Sequence, residues 1–148
     1  MSPTATTLRS TVAAEMPVHA LMTRELTTLD RNQTLELADH LMALGRIRHL
    51  PVVDEGRIVG VVSGRDLFRA AFAEALGCGS KARRRLLRSI GVKEIMSEPA
   101  VTVPPDTSAR DAARLMLEQR IGCLPVVQGG VLIGLVTETD LLRCAYAL

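Results

Sequence analysis

Shifted by 74 positions, the chain lies on itself: residues 18–68 superpose on 92–142 without a gap, and seventeen of the 51 pairs are identical. Unrelated sequence of this composition would give roughly three or four identities, so the chain carries a duplication. The period is too long for a short solenoid repeat and marks two copies of one small domain. The copies are preceded by residues 1–17, joined by 69–91 and followed by 143–148. With 148 residues there is no room for two large independent domains. The copies are therefore expected to pack as one intimate pair.

Each copy carries the same order of signals. A short apolar segment (Leu21-Met22, then Ile95-Met96) leads into a brief extended stretch at Thr27 to Leu29 or Val101 to Val103. Asn32 and Asp106 are suitable N-caps for a following helix. Its apolar stripe is Leu35, Ala38, Leu41 and Met42 in one copy and Ala109, Ala112, Leu115 and Met116 in the other. Next come Leu50-Pro51-Val52-Val53 and Leu124-Pro125-Val126-Val127. A turn at Asp54-Glu55-Gly56 or Gln128-Gly129-Gly130 separates these from a second β-branched run, 58–62 or 132–136. This is a strand, hairpin, strand pattern. Uninterrupted β-branched runs predict strands buried on both faces, which one copy of this size cannot cover alone. A second helix starts after Ser63 or Thr137 and carries Asp66-Leu67 or Asp140-Leu141. Between the copies, Leu67 to Leu76 reads as helix stopped by Gly77, and Lys81 to Ile90 as a further short helix.

Composition narrows the function classes. Aromatic residues make up 2% of the chain, with Phe68, Phe72 and Tyr146 as the whole complement. The core must be aliphatic, and the ring platforms on which single-stranded nucleic acid stacks are missing. Net charge is +2, with sixteen acids interspersed among eighteen Lys and Arg, which decides nothing about a polyanionic partner. Cys78, Cys123 and Cys144 are odd in number and lack metal-ligand spacing, as expected of reduced thiols in the cytoplasm. No apolar stretch approaches the ~18 residues of a membrane span, and residues 1–15 lack the apolar middle of a secretory signal.

The ordered set Val18 to Thr23, Leu50-Pro51-Val52-Val53 and Gly60-Val61-Val62-Ser63-Gly64-Arg65-Asp66 is echoed as Val92 to Ser97, Leu124-Pro125-Val126-Val127 and Gly134-Leu135-Val136-Thr137-Glu138-Thr139-Asp140. This doubled set resembles the CBS domain family, named for cystathionine β-synthase, in the tandem form called a Bateman module. The resemblance implies an α/β (α+β) fold of two β-α-β-β-α repeats packed as a pseudo-twofold pair. It also implies adenosine ligands held in a cleft between the repeats. The class includes AMP, ADP, ATP, S-adenosylmethionine and NAD, bound as a regulatory ligand with no cofactor required. A homodimer, an unidentified protein target and a regulatory role outside any membrane complete the implied picture.

Chemistry gives the resemblance residues. An acid three positions after a hydroxyl at a helix start can accept from both ribose hydroxyls, while the hydroxyl and nearby amides face a phosphate at the positive helix end. Asp66 with Ser63 and Asp140 with Thr137 fill these roles. Each hydrogen bond to a carboxylate contributes about 1.5–3 kcal/mol. Thr27, Val101, Leu50 and Leu124 are expected to line the base slot, with Pro51 and Pro125 beside it. By resemblance, Arg48 and His49, with Arg65 next to the first acid, are the phosphate-side cations. The matching positions in the second copy hold Gly122, Cys123 and Thr139, while Arg46 is matched by Arg120. Two equivalent sites are therefore not expected, and at most one is strong.

Three other readings compete. No nucleophile elbow, P-loop, metal quartet or dinucleotide fingerprint is present in the sequence, and His19, His40 and His49 fall on different elements, so the expectation is a protein that is not an enzyme. A ligand-independent dimerisation scaffold is the principal alternative. The basic run Lys81, Arg83, Arg84, Arg85 and Arg88 is the only feature that favours nucleic acid, and a solvated helix face accounts for it.

Overall fold

A computed structural model describes residues 5–75 and 80–148. Its elements are α1 (Ala5–Glu15), a 3-10 turn at Val18–Ala20, β1 (Leu29–Asp30), α2 (Leu35–Gly45), β2 (His49–Asp54), β3 (Arg57–Ser63), α3 (Gly64–Ala75) and α4 (Ser80–Ser89). They continue with α5 (Val92–Ile95), α6 (Ala109–Gln119), β4 (Cys123–Gln128), β5 (Val131–Thr137) and α7 (Glu138–Tyr146). The mixed α and β architecture expected from the repeat is the one formed. The expected stop at Gly77 lies outside the described residues.

The hairpins form where the turn chemistry places them. In β2–β3 the turn residues Glu55 and Gly56 have φ of 49° and 78°, and in β4–β5 Gly129 and Gly130 have 58° and 79°. Two successive positive φ values make the tight turn whose twist matches antiparallel strands. The registers correspond: His49 faces Ser63 and Leu50 faces Val62, as Cys123 faces Thr137 and Leu124 faces Val136. β1 adds to the first hairpin in parallel, Leu29 pairing with Val52. Its counterpart is a single parallel bridge between Val103 and Val126.

The helix starts differ from the sequence expectation. α2 is capped by Thr34 and α6 by Ser108, two residues after Asn32 and Asp106. The Ser108 hydroxyl accepts from the Asp111 N–H at 3.1 Å. The Asn32 N–H donates instead to the Asp30 carboxylate at 2.9 Å, so Asn32 belongs to the turn before the helix. The expected stripe is buried as a face: Leu35, Ala38 and Met42 on α2, and Ala109, Ala112 and Met116 on α6.

The chain divides into two compact units that cut across the repeats. One is Thr27–Ala100; the other joins the segment ending at Leu26 to Val101–Leu148. The lead segment of each repeat thus completes the sheet of the other. Thr23 and Leu135 exchange backbone hydrogen bonds of 2.9 and 3.0 Å in one unit, and Val61 and Ser97 exchange bonds of 3.1 and 2.9 Å in the other. Met96 joins the core of Leu29, Leu35, Leu50, Val52 and Val62, while Met22 joins that of Val103, Ala112, Leu124, Val126 and Val136. A glycine sits under each methionine. A Cβ on Gly60 would lie 2.7 Å from the Ser97 carbonyl oxygen, and one on Gly134 would lie 2.7 Å from Met22 Cγ. Only glycine permits that approach.

Candidate functional site

In the unit Thr27–Ala100, β3 passes into α3 without a loop. The Gly64 N–H donates to the Arg48 carbonyl at 2.7 Å, which fixes the end of β2 beside the helix start. Ser63 and Asp66 then close a reciprocal pair. The Ser63 N–H and hydroxyl donate to Asp66 Oδ2 at 3.0 and 2.8 Å, and the Asp66 N–H donates to Ser63 Oγ at 3.1 Å. This is the capping-box arrangement. It satisfies two first-turn donors and holds the carboxylate at the positive helix end. Asp66 Oδ1 has no partner among the described residues.

The second junction repeats the first. The Glu138 N–H donates to the Gly122 carbonyl at 3.0 Å. The Thr137 N–H and hydroxyl donate to Asp140 Oδ2 at 2.8 and 3.1 Å, and the Asp140 N–H donates to Thr137 Oγ1 at 3.4 Å. Both acids are half-buried and present one oxygen outside the cap. Each hydroxyl spends its single proton on its own acid, and two amides at each helix start are committed within the junction. What the junction offers a ligand is therefore mainly a carboxylate acceptor suited to vicinal hydroxyls, rather than a set of bare donors for phosphate.

This doubled strand–cap–helix junction can be set beside known proteins. The sequence profile of the CBS domain matches residues 18–73 and 92–146. The chain belongs to the CBS domain family. A CBS domain-containing protein of Dictyostelium discoideum is 36% identical over 127 residues, covering 84% of this chain and 88% of its own length. An uncharacterized protein of Methanocaldococcus jannaschii is 35% identical over 139 residues, covering 91% of this chain, but this chain spans 33% of that relative's length. Among solved structures, CBSX2 in complex with AMP superposes with a TM-score of 0.74 at 28% identity, covering 89% of this chain and 97% of that one. An inosine-5'-monophosphate dehydrogenase of Korarchaeum cryptofilum is matched over 22% of its length. That share corresponds to a CBS pair carried within a larger enzyme.

Within the CBS pair, the remaining candidate residues separate by environment. Arg48 is exposed and His49 half-buried opposite Ser63. Arg65 is exposed on the first turn of α3, as Thr139 is on α7. Cys123 is buried opposite Thr137. Leu50, Pro51 and Leu124 are fully buried, and Pro125 is buried, so these four lie in the interior of their units. Thr27 is exposed two residues before β1, outside the hydrogen-bonded junction, and Val101 packs half-buried on its unit's core. Arg46 and Arg120 close α2 and α6 in the left-handed conformation, with φ of 51° and 55°. Their retention in both CBS repeats thus coincides with a shared helix ending.

The sequence reading passed over a groove of about 550 Å³ between α2 and α4, in the unit Thr27–Ala100. Leu37, Ala43 and Leu87 give it apolar lining, with His40, Asp39 and Arg84 among its polar residues. Its signal was present in the sequence. Glu36 and Asp39 on α2 match Arg88 and Arg83 on α4, which they bind at 2.8 and 3.2 Å. No described helix is long and apolar enough to cross a membrane.

Proposed function

We propose that this CBS pair is a regulatory module that binds an adenosine-containing ligand and passes its binding state to a protein partner, without catalysing a reaction. The observation that carries the reading is the doubled junction: in each repeat a strand-end hydroxyl holds a half-buried carboxylate with one oxygen outside the cap, at the positive end of a helix. A ribose diol is a pair of adjacent donors, and such an oxygen is its natural acceptor. A relative of the same fold in complex with AMP supports the ligand class. The first repeat carries Arg48, His49 and Arg65 where the second has Gly122, Cys123 and Thr139, an asymmetry that supports one anionic site rather than two, with either acid as its ribose acceptor.

Calorimetric titration with AMP, ADP, ATP, S-adenosylmethionine and NAD tests the reading. At least one is expected to bind in the micromolar range, and binding of none below millimolar refutes it. A ligand present at 100 times its Kd and selective for the folded state adds about 2.7 kcal/mol of stability, readable as a thermal shift.

One observation favours self-association alongside ligand binding. Phe68 and Phe72 on α3 are exposed and stack with ring centroids 5.5 Å apart. Their repeat mates on α7, Leu142 and Tyr146, are exposed as well. Duplicated apolar positions facing water suit a homodimer contact. If no nucleotide binds, the same residues support the scaffold reading.

A further inference from the structure

We propose that the outward face of α4 is a docking surface for an acidic amphipathic helix of another protein. The helix is held to α2 by one side. Leu87 is fully buried, Arg83 forms two hydrogen bonds of 3.2 Å with the Asp39 carboxylate, and Arg88 donates to Glu36 at 2.8 Å. Lys81, Arg84, Arg85 and Arg88 follow the spacing i, i+3, i+4, i+7 and form a single stripe about 10 Å long, which borders the groove at Arg84 and reaches Glu36 of α2 at Arg88. All four are exposed, and Lys81, Arg84 and Arg85 have no ion pair among the described residues.

The stripe is maintained against the helix's own energetics. α4 has five Lys and Arg and no acid in ten residues, in a chain whose overall charge is only +2. Lys81–Arg85 and Arg84–Arg88 are like-charge pairs at i, i+4, each costing about 0.2–0.5 kcal/mol, and Lys81 lies in a first turn where the dipole disfavours cations. A face selected only for solvation would interleave acids. The shift of 74 places α1 (Ala5–Glu15) at the position of α4, and α1 carries a single Arg and one acid where α4 carries five cations, so the stripe is specific to α4.

Charge complementarity selects the occupant. Carboxylates at i, i+3, i+4 and i+7 of a partner helix match the spacing of the stripe, the first three meeting the unpaired Lys81, Arg84 and Arg85 and the last the pair of Arg88 with Glu36. The adjoining groove, floored by Leu37, Ala43 and Leu87, takes an apolar side chain from the same helix. A phosphate backbone has no apolar side chain to set against Leu37, Ala43 and Leu87 and would bring charge against Asp39 and Glu36, where an amphipathic helix turns its Leu, and α4 has no aromatic residue for base stacking. The proposal does not depend on nucleotide binding.

The test is fluorescence anisotropy at low ionic strength with three probes. These are a synthetic helical peptide with Glu at i, i+3, i+4 and i+7 beside a Leu, a control peptide of equal composition with its acids spread around the helix, and a short DNA duplex. The patterned peptide is expected to bind on the order of tenfold tighter than the control, the preference fading as salt rises. The triple variant Lys81→Glu, Arg84→Glu, Arg85→Glu should abolish the preference. Arg84→Gln, which introduces no new charge, should lower affinity by about threefold. Equal binding of the two peptides, a preference that survives in either variant at full strength, or tighter binding of the duplex would overturn the proposal.

Discussion

Replacing Gly60 by alanine tests the exchanged segments directly. The new Cβ would lie 2.7 Å from the Ser97 carbonyl oxygen and 3.1 Å from Met96 Cγ. Reaching an ordinary 3.4 Å contact requires the Ser97 segment to retreat by about 0.7 Å, the difference between those distances. The obstacle is backbone, so it cannot rotate away. The retreat stretches the paired bonds between Val61 and Ser97, now 3.1 and 2.9 Å, beyond useful length and loosens Met96 in the core. Two backbone hydrogen bonds at about 1 kcal/mol each, with a strained core contact, give a loss of about 2–4 kcal/mol. Urea unfolding followed by circular dichroism should show a lower midpoint at unchanged slope. A loss of this size lowers Tm by roughly 4–16 °C in a chain of this length. Gly134→Ala should cost less, about 1–3 kcal/mol, because its neighbours are Met22 side-chain atoms that can rotate. Gly45→Ala is the control: it ends α2, its nearest neighbour is Ile47 Cγ1 at 3.4 Å, and helix propensity favours alanine by up to about 1 kcal/mol. If Gly60→Ala is no more destabilising than Gly45→Ala, the tight crossing of strand and exchanged segment is wrong.

Asp66→Asn and Asp140→Asn each remove a charged acceptor while keeping the shape. Nucleotide affinity measured by calorimetry should fall by about tenfold or more for the acid that contacts ribose, and full affinity in both variants would refute the ribose assignment. Ser108→Ala should cost about 1 kcal/mol in urea unfolding, whereas Thr34→Ala should change stability by less than about 0.5 kcal/mol, since the Thr34 side chain makes no capping bond. Equal losses would contradict the cap geometry. Phe72→Glu places charge on the exposed stacked pair of α3, and analytical ultracentrifugation should show the proposed homodimer weakened by on the order of a hundredfold. An unchanged sedimentation profile of a dimeric protein would move the contact elsewhere.

Much of the architecture was legible because it is written in short-range terms. The paired glycine turns and the β-branched runs around Leu50 and Leu124 specify hairpins whose registers correspond residue for residue. The spacing of Ser63 to Asp66 and of Thr137 to Asp140 specifies a cap that a four-residue window contains completely. The N-caps of α2 and α6 were misplaced by two residues because Asn32 and Asp106 are as competent locally as Thr34 and Ser108. The choice falls to the turn in which Asp30 accepts from the Asn32 N–H. At the candidate site, residue types could be read, but the commitment of each hydroxyl proton to its own acid could not, since that depends on side-chain rotamers.

By itself the sequence determined that the chain is a duplication, that each copy forms a helix, hairpin and helix around an aliphatic core, and that an acid follows a hydroxyl at each strand–helix junction. Only the tertiary structure decided that the segments around Met22 and Met96 complete each other's sheets. Val18 to Thr23 and Val92 to Ser97 carry the same pattern, and Gly60 and Gly134 offer the same opening. Docking at home and docking across the duplication therefore present the same local pattern. Local chemistry cannot separate two such pairings, so the route of the intervening chain chooses between them.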